Sequence, residues 1–372
     1  MKFTIPRSAL QKELGFVQSV VERKNMIPVL ANLLIESIGN NSIRISGTDL
    51  DVTIRADVDT DEIQTEGAIC VQARKLFDIA RLLPEGPVTF TKQENEWVTV
   101  ESGQAKFKLP GIAKESFPDL PTLKTTPFTI PSSLLKSLIE QTIFAISSEE
   151  GRYTLSGAKF ELNKSGTKVI TTDSHRLALV STKQTVTRSS DETLDLLVPR
   201  KTLAELTKLA ADFDGDISLG ADDNHIYFRV GTRTIISRLL SGRFPNYEMV
   251  LPKNNDQSAT FNTAELSKAI RRVALMADDR SHSISLTFEK GKVTIRSKSP
   301  EEGEAVETVS ADFSGPETTI GFNASYLQDI LNVTSTETVI FEFKDANSQI
   351  QMRAATTTET IDALQILMPL RI

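Results

Sequence analysis

The chain has 372 residues, 39% of them hydrophobic and 24% charged, which is ordinary for a folded protein and excludes global disorder, collagen and coiled coil. Its length predicts two or three domains. No stretch approaches the roughly 18 apolar residues of a membrane span, and the N-terminal residues lack the apolar run of a signal peptide. Cys70 is the only cysteine, which excludes an intramolecular disulfide and a thiolate metal cluster. These features predict a cytoplasmic protein.

The net charge is −7 at pH 7, from 42 basic and 49 acidic side chains. Taken alone, this charge argues against a protein that holds nucleic acid by bulk electrostatic attraction. The distribution of charge along the chain is therefore more informative than the total.

Three copies of one unit follow one another along the chain. Residues 3–6, Phe-Thr-Ile-Pro, recur 125 positions later at residues 128–131, and a weaker third copy begins at Ala259. Each copy opens with a short extended run, continues with apolar residues at helical spacing, and contains a second helical pattern followed by alternating β-rich segments. We predict an α+β fold with three similar domains, whose bounds are residues 1–126, 127–253 and 254–372.

Two helices are predicted in each unit, and they carry most of the excess positive charge. Together the six helices contain 14 basic and seven acidic side chains, a net charge of +7, so the rest of the chain carries −14. The basic residues face away from the apolar stripe when the helix is drawn at about 100° per residue. The predicted helices are residues 7–24, 71–83, 134–146, 199–209, 264–277 and 323–333.

Recurrence of this charge at the same register distinguishes it from an ordinary solvated helix face. Arg74 and Arg81 in the first unit occupy the same positions as Lys201 and Lys208 in the second. Basic helix faces on an acidic protein suggest a surface that follows phosphates without reading bases. By this argument the candidate DNA-facing residues are Arg74, Arg81, Lys201, Lys208, Lys268, Arg271 and Arg272.

No catalytic motif is present in the sequence. The three histidines fit no zinc-binding spacing, and neither a P-loop nor a dinucleotide-binding glycine motif occurs. Asp173, Ser174 and His175 are adjacent in sequence, whereas neighbouring strand residues point to opposite faces, so a catalytic triad is not expected. We predict a non-catalytic protein without a metal site or cofactor.

Several short motifs, in their order and spacing, give the whole chain a resemblance to the bacterial sliding clamps, the beta subunits of DNA polymerase III. They are residues 1–4, 28–32, 47–50, 73–75, 172–178, 242–247, 251–253, 321–323 and 368–372. The resemblance implies the DNA clamp fold, in which each domain packs two helices on antiparallel sheets. It further implies a head-to-tail homodimer that forms a ring of six domains.

In that family the ring encircles double-stranded DNA, slides without sequence specificity and tethers the catalytic subunit of the replicative polymerase. The resemblance therefore implies a processivity factor. Its partners would be duplex DNA, the polymerase, an ATP-dependent clamp loader and other replication and repair proteins, with no membrane. It also adds Lys24 and Arg152 to the candidate DNA-facing residues. Glu149 departs from the family pattern beside Arg152.

The resemblance implies a hydrophobic pocket that binds short peptides of partner proteins. An apolar chain end, Met-Pro-Leu-Arg-Ile, supports such a pocket independently, because a methionine-lined groove adapts to several partners. Ser174 and Met249 depart from the family pattern and bear on peptide preference. The residues carried over are Leu155, Thr172, His175, Arg176, Leu177, Pro245, Val250, Tyr326, Ile366, Met368, Pro369 and Leu370. The alternative for Ile366 and Leu370 is that they only close the core of the third domain.

The resemblance also assigns the dimer contact. Phe107 and Leu109 would meet Leu275 and Met276 of the second copy, and Lys106 would face an acidic run formed by Glu301, Glu302 and Glu304.

Two other readings remain open from the sequence. One is an enzyme that uses Asp173 and His175, with the repeats as a scaffold. The other is a DNA-independent scaffold that binds peptides only.

Overall fold

The computed structural model describes residues 1–21, 27–122, 128–149, 151–163, 166–183, 193–355 and 361–371. The chain divides into two compact units, which are described separately: residues 1–133 with 201–239, and residues 134–200 with 240–372. None of the helices in the described ranges is long and apolar enough to cross a membrane.

Six α-helices lie in the described residues, two in each repeat, as the sequence predicts. They are α1 (Arg7–Val17), α2 (Ala73–Leu82), α3 (Ser132–Glu140), α4 (Arg200–Ala210), α5 (Thr263–Val273) and α6 (Ala324–Val333). All six begin within two residues of the predicted position. Each α-helix of the first unit buries one apolar stripe; in α2 that stripe includes Leu76 and Ile79, while Arg74 is exposed on the opposite side.

The first helix of each repeat ends earlier than the apolar pattern predicts. The chain continues instead as a short 3₁₀ turn, at Gln18–Val20, Ile143–Ala145 and Ala274–Met276. In the second repeat the hydroxyl of Thr142 donates to the carbonyl of Leu138 at 2.7 Å, which competes with the α-helical backbone bond. Residues 22–24 of the first predicted helix lie outside the described part of the chain.

The described strands pair antiparallel throughout. In chain order they are β1 (Lys2–Pro6), β2 (Asn32–Ile38), β3 (Ser42–Thr48), β4 (Val52–Asp59), β5 (Glu62–Thr65), β6 (Ala68–Gln72), β7 (Pro87–Lys92), β8 (Val98–Ser102), β9 (Ala105–Leu109), β10 (Gly111–Ile112), β11 (Phe128–Pro131), β12 (Gly157–Asn163), β13 (Gly166–Thr172), β14 (Arg176–Thr182), β15 (Leu194–Pro199), β16 (Asp216–Ala221), β17 (His225–Val230), β18 (Arg233–Arg238), β19 (Gln257–Asn262), β20 (Ser283–Glu289), β21 (Lys292–Ser299), β22 (Gly303–Ser310), β23 (Thr318–Asn323), β24 (Thr338–Phe343), β25 (Ile350–Ala354) and β26 (Asp362–Leu367).

The described strands of each unit form two sheets. The first unit has a five-stranded sheet of order β5-β1-β7-β8-β9 and a nine-stranded sheet of order β10-β6-β2-β3-β4-β18-β17-β16-β11. The second unit has an eight-stranded sheet of order β15-β12-β13-β14-β26-β25-β24-β19 and a four-stranded sheet of order β22-β21-β20-β23. Neighbouring repeats therefore share a sheet, because β4 of the first repeat pairs with β18 of the second, and β14 of the second pairs with β26 of the third.

Two further strands are equivalent by order to those at the shared joints. Strand β22 occupies in the third repeat the place of β4 and β14, and β9 occupies in the first repeat the place of β18 and β26. Among the described strands, β9 and β22 each pair on one side only and form the edges of their sheets. The strand pairing that joins two repeats, called the joint below, thus occurs twice, as β4–β18 and as β14–β26. The equivalent strands β22 and β9 each remain at the edge of a sheet.

Cys70 on β6 provides a check on the packing of the first repeat. It is buried in a cluster with Leu34 and Phe117, and burial raises the pKa of its thiol from 9.0 to about 12. The thiolate fraction at neutral pH therefore falls about 1000-fold, and only the thiolate is nucleophilic. We expect iodoacetamide to label the native protein orders of magnitude more slowly than the urea-unfolded chain, as measured by mass spectrometry. Equal labelling rates would contradict the burial.

Candidate functional sites

The basic residues predicted to face DNA are exposed on their helices. Arg74 and Arg81 lie on α2, Lys201 and Lys208 lie on α4, and the remaining three lie on α5. Their positions agree with the helical register read from the sequence. Arg152 is half-buried before a 3₁₀ turn and donates to the carbonyl of Asp173 at 2.9 Å. Lys24 lies outside the described residues.

Most of these cations have a carboxylate partner in the same chain, which the sequence does not reveal. Lys201 contacts Asp49, and Nζ of Lys208 lies 2.8 Å from Oε1 of Glu205. The helix faces are therefore less positive than a count of lysines and arginines suggests.

Two further candidates, Arg152 and Arg272, also pair with a carboxylate of the same chain. Nε of Arg152 lies 2.7 Å from Oε2 of Glu149, and Nε of Arg272 donates to Glu307 at 2.9 Å. The hydrogen bond between Arg272 and Glu307 raises the pKa of the guanidinium and lowers the pKa of the carboxyl. An amide oxygen, on Asn332, accepts from Arg271 at 2.8 Å.

Four candidates differ from the rest. Arg74, Lys268 and Arg271 form no ion pair with a described residue, and Nη2 of Arg81 lies 3.9 Å from Oδ1 of Asp78. These four retain most of the unneutralised positive charge on α2 and α5.

A small apolar groove lies in the second unit, beside the turn that connects β13 and β14. Its volume is about 180 Å³, and its lining residues come from that turn, from residues 245–250 and from the chain end. Six predicted pocket residues meet there, which are Thr172, Arg176, Leu177, Pro245, Val250 and Met368.

Side-chain hydrogen bonds fix the turn that forms one wall of the groove. The hydroxyl of Thr172 donates to the carbonyl of Arg176 at 2.7 Å, and Oδ1 of Asp173 accepts from the backbone N–H groups of His175 and Arg176. Ser174, at the tip, has φ = 77°, a left-handed conformation that is costly for a residue with a Cβ. The same hydrogen bonds recur at Thr48–Val52 in the first unit. The Asp173 carboxylate is thus committed to this turn, which disfavours the enzymatic reading.

Arg176 holds the groove together. Its guanidinium donates to Asp173 at 3.0 Å, to Asp329 at 2.7 Å and to the carbonyl of Phe144 at 2.7 Å. It also lies over the rings of Phe144 and Tyr326, with its central carbon 5.2 and 4.3 Å from their centroids. All three guanidinium nitrogens are engaged, so Arg176 positions the groove walls.

The other predicted pocket residues lie around the groove. His175 stacks on Tyr326, with ring centroids 6.0 Å apart, and both line an adjoining cavity of about 290 Å³. Leu155 and Ile366 are buried, and Ile366 packs with Leu177 beneath the groove. Ile366 lies among residues of the second repeat, whereas its neighbour Leu367 belongs to the core of the third repeat, so the burial of Ile366 does not support the alternative in which it closes that core.

The chain end is held in place beside the groove. The N–H of Met368 donates to the carbonyl of His175 at 2.9 Å, and the N–H of Leu370 donates to Gly321 at 2.8 Å. Pro369 lies between them, half-buried. This end is therefore a structural part of the groove wall.

Two groove-lining residues were missed from the sequence as pocket residues. Asn246 and Tyr247 line the groove, and Tyr247 is buried with its hydroxyl 3.3 Å from the carboxylate of Glu161. Burial and this carboxylate raise the pKa of Tyr247 to about 12. Met249, in the following 3₁₀ turn, is 79% exposed. The recurring Phe-Pro motif before Tyr247 was the available signal.

The two sheet edges carry exposed apolar side chains. Phe107 on β9 is 37% exposed, Val306 on β22 is 50% exposed, and Leu275 beside α5 is 74% exposed. Leu109 is buried and Met276 is half-buried. Val306 was missed from the sequence, although it is an apolar residue at an outward register position.

The two edges have opposite charge. Lys106 on β9 pairs with Glu101 at 2.8 Å, and Lys108 lies 5.3 Å from the ring centroid of Trp97. Glu301, Glu302 and Glu304 are exposed at the start of β22. An unpaired edge normally invites pairing with another chain.

No three His, Cys, Asp or Glu side chains in the described ranges are grouped closely enough to share a metal ion.

Comparison with known proteins identifies the class. Three family models match consecutive parts of the chain: the DNA polymerase III beta subunit N-terminal domain at residues 1–121, the central domain at residues 129–246, and the C-terminal domain at residues 248–371. The fold is therefore that of a DNA clamp protein with three α+β domains.

Full-length relatives and solved structures agree. The beta sliding clamps of Pseudomonas putida and Escherichia coli strain K12 are 35% and 33% identical, each aligned over 100% of both chains. Crystal structures of the beta subunit from Pseudomonas aeruginosa and of the sliding clamp from Caulobacter crescentus have TM-scores of 0.95 and 0.92 at 34% and 33% identity, again over 100% of both chains. The chain belongs to the beta sliding clamp family of DNA polymerase III. It is a processivity factor, a non-catalytic accessory subunit of DNA replication.

Proposed function

We propose that two copies of the chain close head to tail into a ring of six domains around double-stranded DNA. The observation that carries this proposal is the joint between repeats. Strand β4 joins β18 and strand β14 joins β26, and by order of elements the remaining edges that correspond are β22 and β9. Pairing β22 of one copy with β9 of the other repeats the same joint a third time, and a second such pairing closes the ring.

The register of this third joint follows from the first. The hairpins β8–β9 and β17–β18 both close with a two-residue turn, so Ala105 corresponds to Arg233. Glu307 on β22 corresponds to Ala56 on β4, since each lies opposite the buried central isoleucine of its neighbouring strand. Because Arg233 lies opposite Ala56, Ala105 of one copy is expected opposite Glu307 of the other.

This register brings apolar and charged groups of the two edges together. Phe107 falls opposite Ala305, on the sheet face that carries α5, near Leu275. Lys108 falls opposite Glu304, and Lys106 is its diagonal neighbour, within reach of a long side chain. The predicted contact of Lys106 with the acidic run is thus extended to Lys108.

The proposed ring needs only a mildly basic inner surface, because a closed ring retains DNA by topology. Exposed arginines and lysines on α2, α4 and α5, largely paired with carboxylates of the same chain, suit contacts with phosphates that carry no sequence information.

The domain boundaries that we propose follow residues 126 and 253. Both lie within a few residues of the places where one family match ends and the next begins.

The groove of the second unit is the proposed docking site for peptides of the replicative polymerase, of an ATP-dependent clamp loader and of repair proteins. Its apolar lining and the adaptable side chain of Met368 support a linear apolar motif as ligand. A cytoplasmic location is part of the same proposal.

A retention assay on circular DNA tests the ring. The protein, as a dimer of 82 kDa, twice 41.0 kDa, is loaded on nicked circular DNA and then separated by gel filtration, before and after the circle is cut. We expect ring-shaped particles in negative-stain electron microscopy, co-elution with the circle, and release on linearisation. Equal retention on linear DNA, or none on either, would leave the peptide scaffold as the better account.

A charge-reversal variant separates the helix faces from the rest of the surface. Substitution by glutamate at four predicted DNA-facing positions is expected to reduce retention at least tenfold; the positions are Arg74, Arg81, Lys201 and Lys208. The matched control reverses four exposed cations elsewhere and is expected to retain DNA normally; its positions are Lys168, Arg229, Lys290 and Lys344.

A further inference from the structure

A second cavity, outside the groove and the helix faces, lies on the nine-stranded sheet of the first unit. Its volume is about 410 Å³, and residues 114–122, after the last strand of the first repeat, form one wall. Arg55 on β4 is part of the floor. Because Ile54 and Ala56 are buried on either side of it in sequence, Arg55 projects from the opposite face of the strand.

The cations of this cavity differ in their pairing. Arg44 makes two hydrogen bonds to Asp57, at 2.7 and 2.9 Å, and Nζ of Lys114 lies 2.6 Å from Oε1 of Glu36. Arg55 has no hydrogen bond or ion pair with a described residue, and its Nε is buried without a partner. Arg55 as a whole is half-buried, but this nitrogen has lost its water without gaining an acceptor, which is costly. Burial, with the nearby charge of Arg44, lowers the pKa of Arg55.

Apolar side chains lie beside this guanidinium. Phe117 is buried and Pro118 and Leu120 are half-buried on the wall of the cavity, and Leu34 completes the apolar part. A ligand that matches both the guanidinium and the apolar wall of the cavity has an anionic group next to an apolar group.

The charge balance selects a single carboxylate. Glu36 and Asp57 pair closely with Lys114 and Arg44, which leaves Arg55 as the guanidinium of the cavity without a close carboxylate partner among the described residues. Glu115 and Asp119 are exposed on the rim and repel a multivalent anion such as a phosphate more strongly than a carboxylate. A planar guanidinium also matches the two oxygens of a carboxylate.

We propose that this cavity binds a peptide segment in which an aspartate or glutamate adjoins an apolar residue, with the carboxylate on Arg55 and the apolar side chain on Pro118 and Leu120. The site is separate from the peptide groove and from the basic helix faces. It goes beyond the proposed ring and depends on neither the ring nor the groove.

Methyl NMR on the full-length protein tests the proposal with two probes, acetyl-Glu-Leu-Leu-amide and its uncharged match acetyl-Gln-Leu-Leu-amide. Methyl signals of Leu34 and Leu120 report on the cavity, and those of Leu177 and Val250 report on the groove. The glutamate peptide is expected to shift the cavity signals with a Kd at least about tenfold lower than the glutamine peptide. Arg55→Gln is expected to remove this difference.

Arg229→Gln, an exposed arginine on β17, is the control for loss of one positive charge and should leave both titrations unchanged. Slow labelling of Cys70 in Arg55→Gln confirms that the first repeat is folded. Equal affinity for the two peptides, no shift of the cavity signals, or a preference that survives Arg55→Gln would each overturn the proposal. Tighter binding of inorganic phosphate than of the glutamate peptide would overturn the carboxylate assignment. Shifts at the groove alone would overturn this site while supporting the groove.

Discussion

The double variant Phe107→Ala, Leu275→Ala is expected to raise the dissociation constant of the dimer by two or more orders of magnitude. Phe107 and Leu275 are 37% and 74% exposed in the single chain, and the proposed joint covers both. Burial of a large apolar side chain contributes about 1.5–3 kcal/mol, and a ring has two such joints. Sedimentation velocity over a dilution series measures the constant, and fluorescence of Trp97, the only tryptophan, reports on the same edge through its contact with Lys108.

Met249→Ala provides the matched control, because Met249 is 79% exposed and lies in the 3₁₀ turn of residues 247–250, on neither β9 nor β22. It should leave the dissociation constant unchanged. The double substitution Leu275→Ala, Met276→Ala is expected to weaken the dimer as well, though Met276 is already half-buried within its own chain. A dimer that survives Phe107→Ala, Leu275→Ala intact would refute the proposed joint.

Charge exchange tests the register of the joint. Glu304→Lys places a third positive charge beside Lys106 and Lys108 and is expected to weaken the dimer. Adding Lys106→Glu and Lys108→Glu to the same chain restores opposite charges and should recover most of the affinity. Recovery is specific to direct or diagonal neighbours, so its absence would show that the strands pair in another register or not at all.

Arg176→Ala is expected to destabilise the second unit by about 3 kcal/mol, because it leaves the carboxylates of Asp173 and Asp329 without their cation. The estimate stays at the lower end of the range for buried pairs, since Asp329 is 41% exposed. Hydrogen exchange at the amides of α6 and β14 measures the local free energy of opening, and urea unfolding followed by circular dichroism measures the global effect.

Two comparisons make the result specific. Arg176→Lys keeps the charge but not the planar fork that engages three acceptors, so it should recover only part of the loss. Asp329→Asn removes the more exposed partner and should cost less than Arg176→Ala. Peptide binding in the groove should fall with Arg176→Ala in parallel with protection of β14. A loss below about 0.5 kcal/mol, the usual effect of a surface substitution, would show that Arg176 does not hold the groove walls.

The repeats, the six helices and the basic register were predictable because each rests on local periodicity. Apolar residues three and four apart identify a helix wherever it lies, and recurrence of Arg74 and Arg81 as Lys201 and Lys208 identifies the outward face. Helix ends were less predictable: the apolar pattern of the second repeat runs to Ile146, whereas the hydroxyl of Thr142 favours a 3₁₀ turn before it.

Pairings between distant residues could not be read from the sequence. Nothing local shows that Lys201 meets Asp49, 152 positions away, or that Arg176 reaches Asp329 across 153 positions. For the same reason, not every pocket residue carried over by resemblance lines the groove. Leu177 and Val250 line it, whereas Ile366 lies beneath it. Burial depends on which strands become neighbours, and β14 and β26 meet only after the chain has folded.

The ion pairs on the helix faces have a consequence for the proposed motion along DNA. Lys201, Lys208 and Arg272 already hold a carboxylate, so a phosphate contact at any of them would exchange one anion for another. Replacing the carboxylate by a phosphate changes the free energy little. The change is nearly the same at the next phosphate along the DNA backbone. The energy profile along the duplex is then shallow, with no deep minimum at any base pair. In the proposed ring, these carboxylates would act as counterions that the protein itself carries, and they would lower the friction between the ring and the DNA.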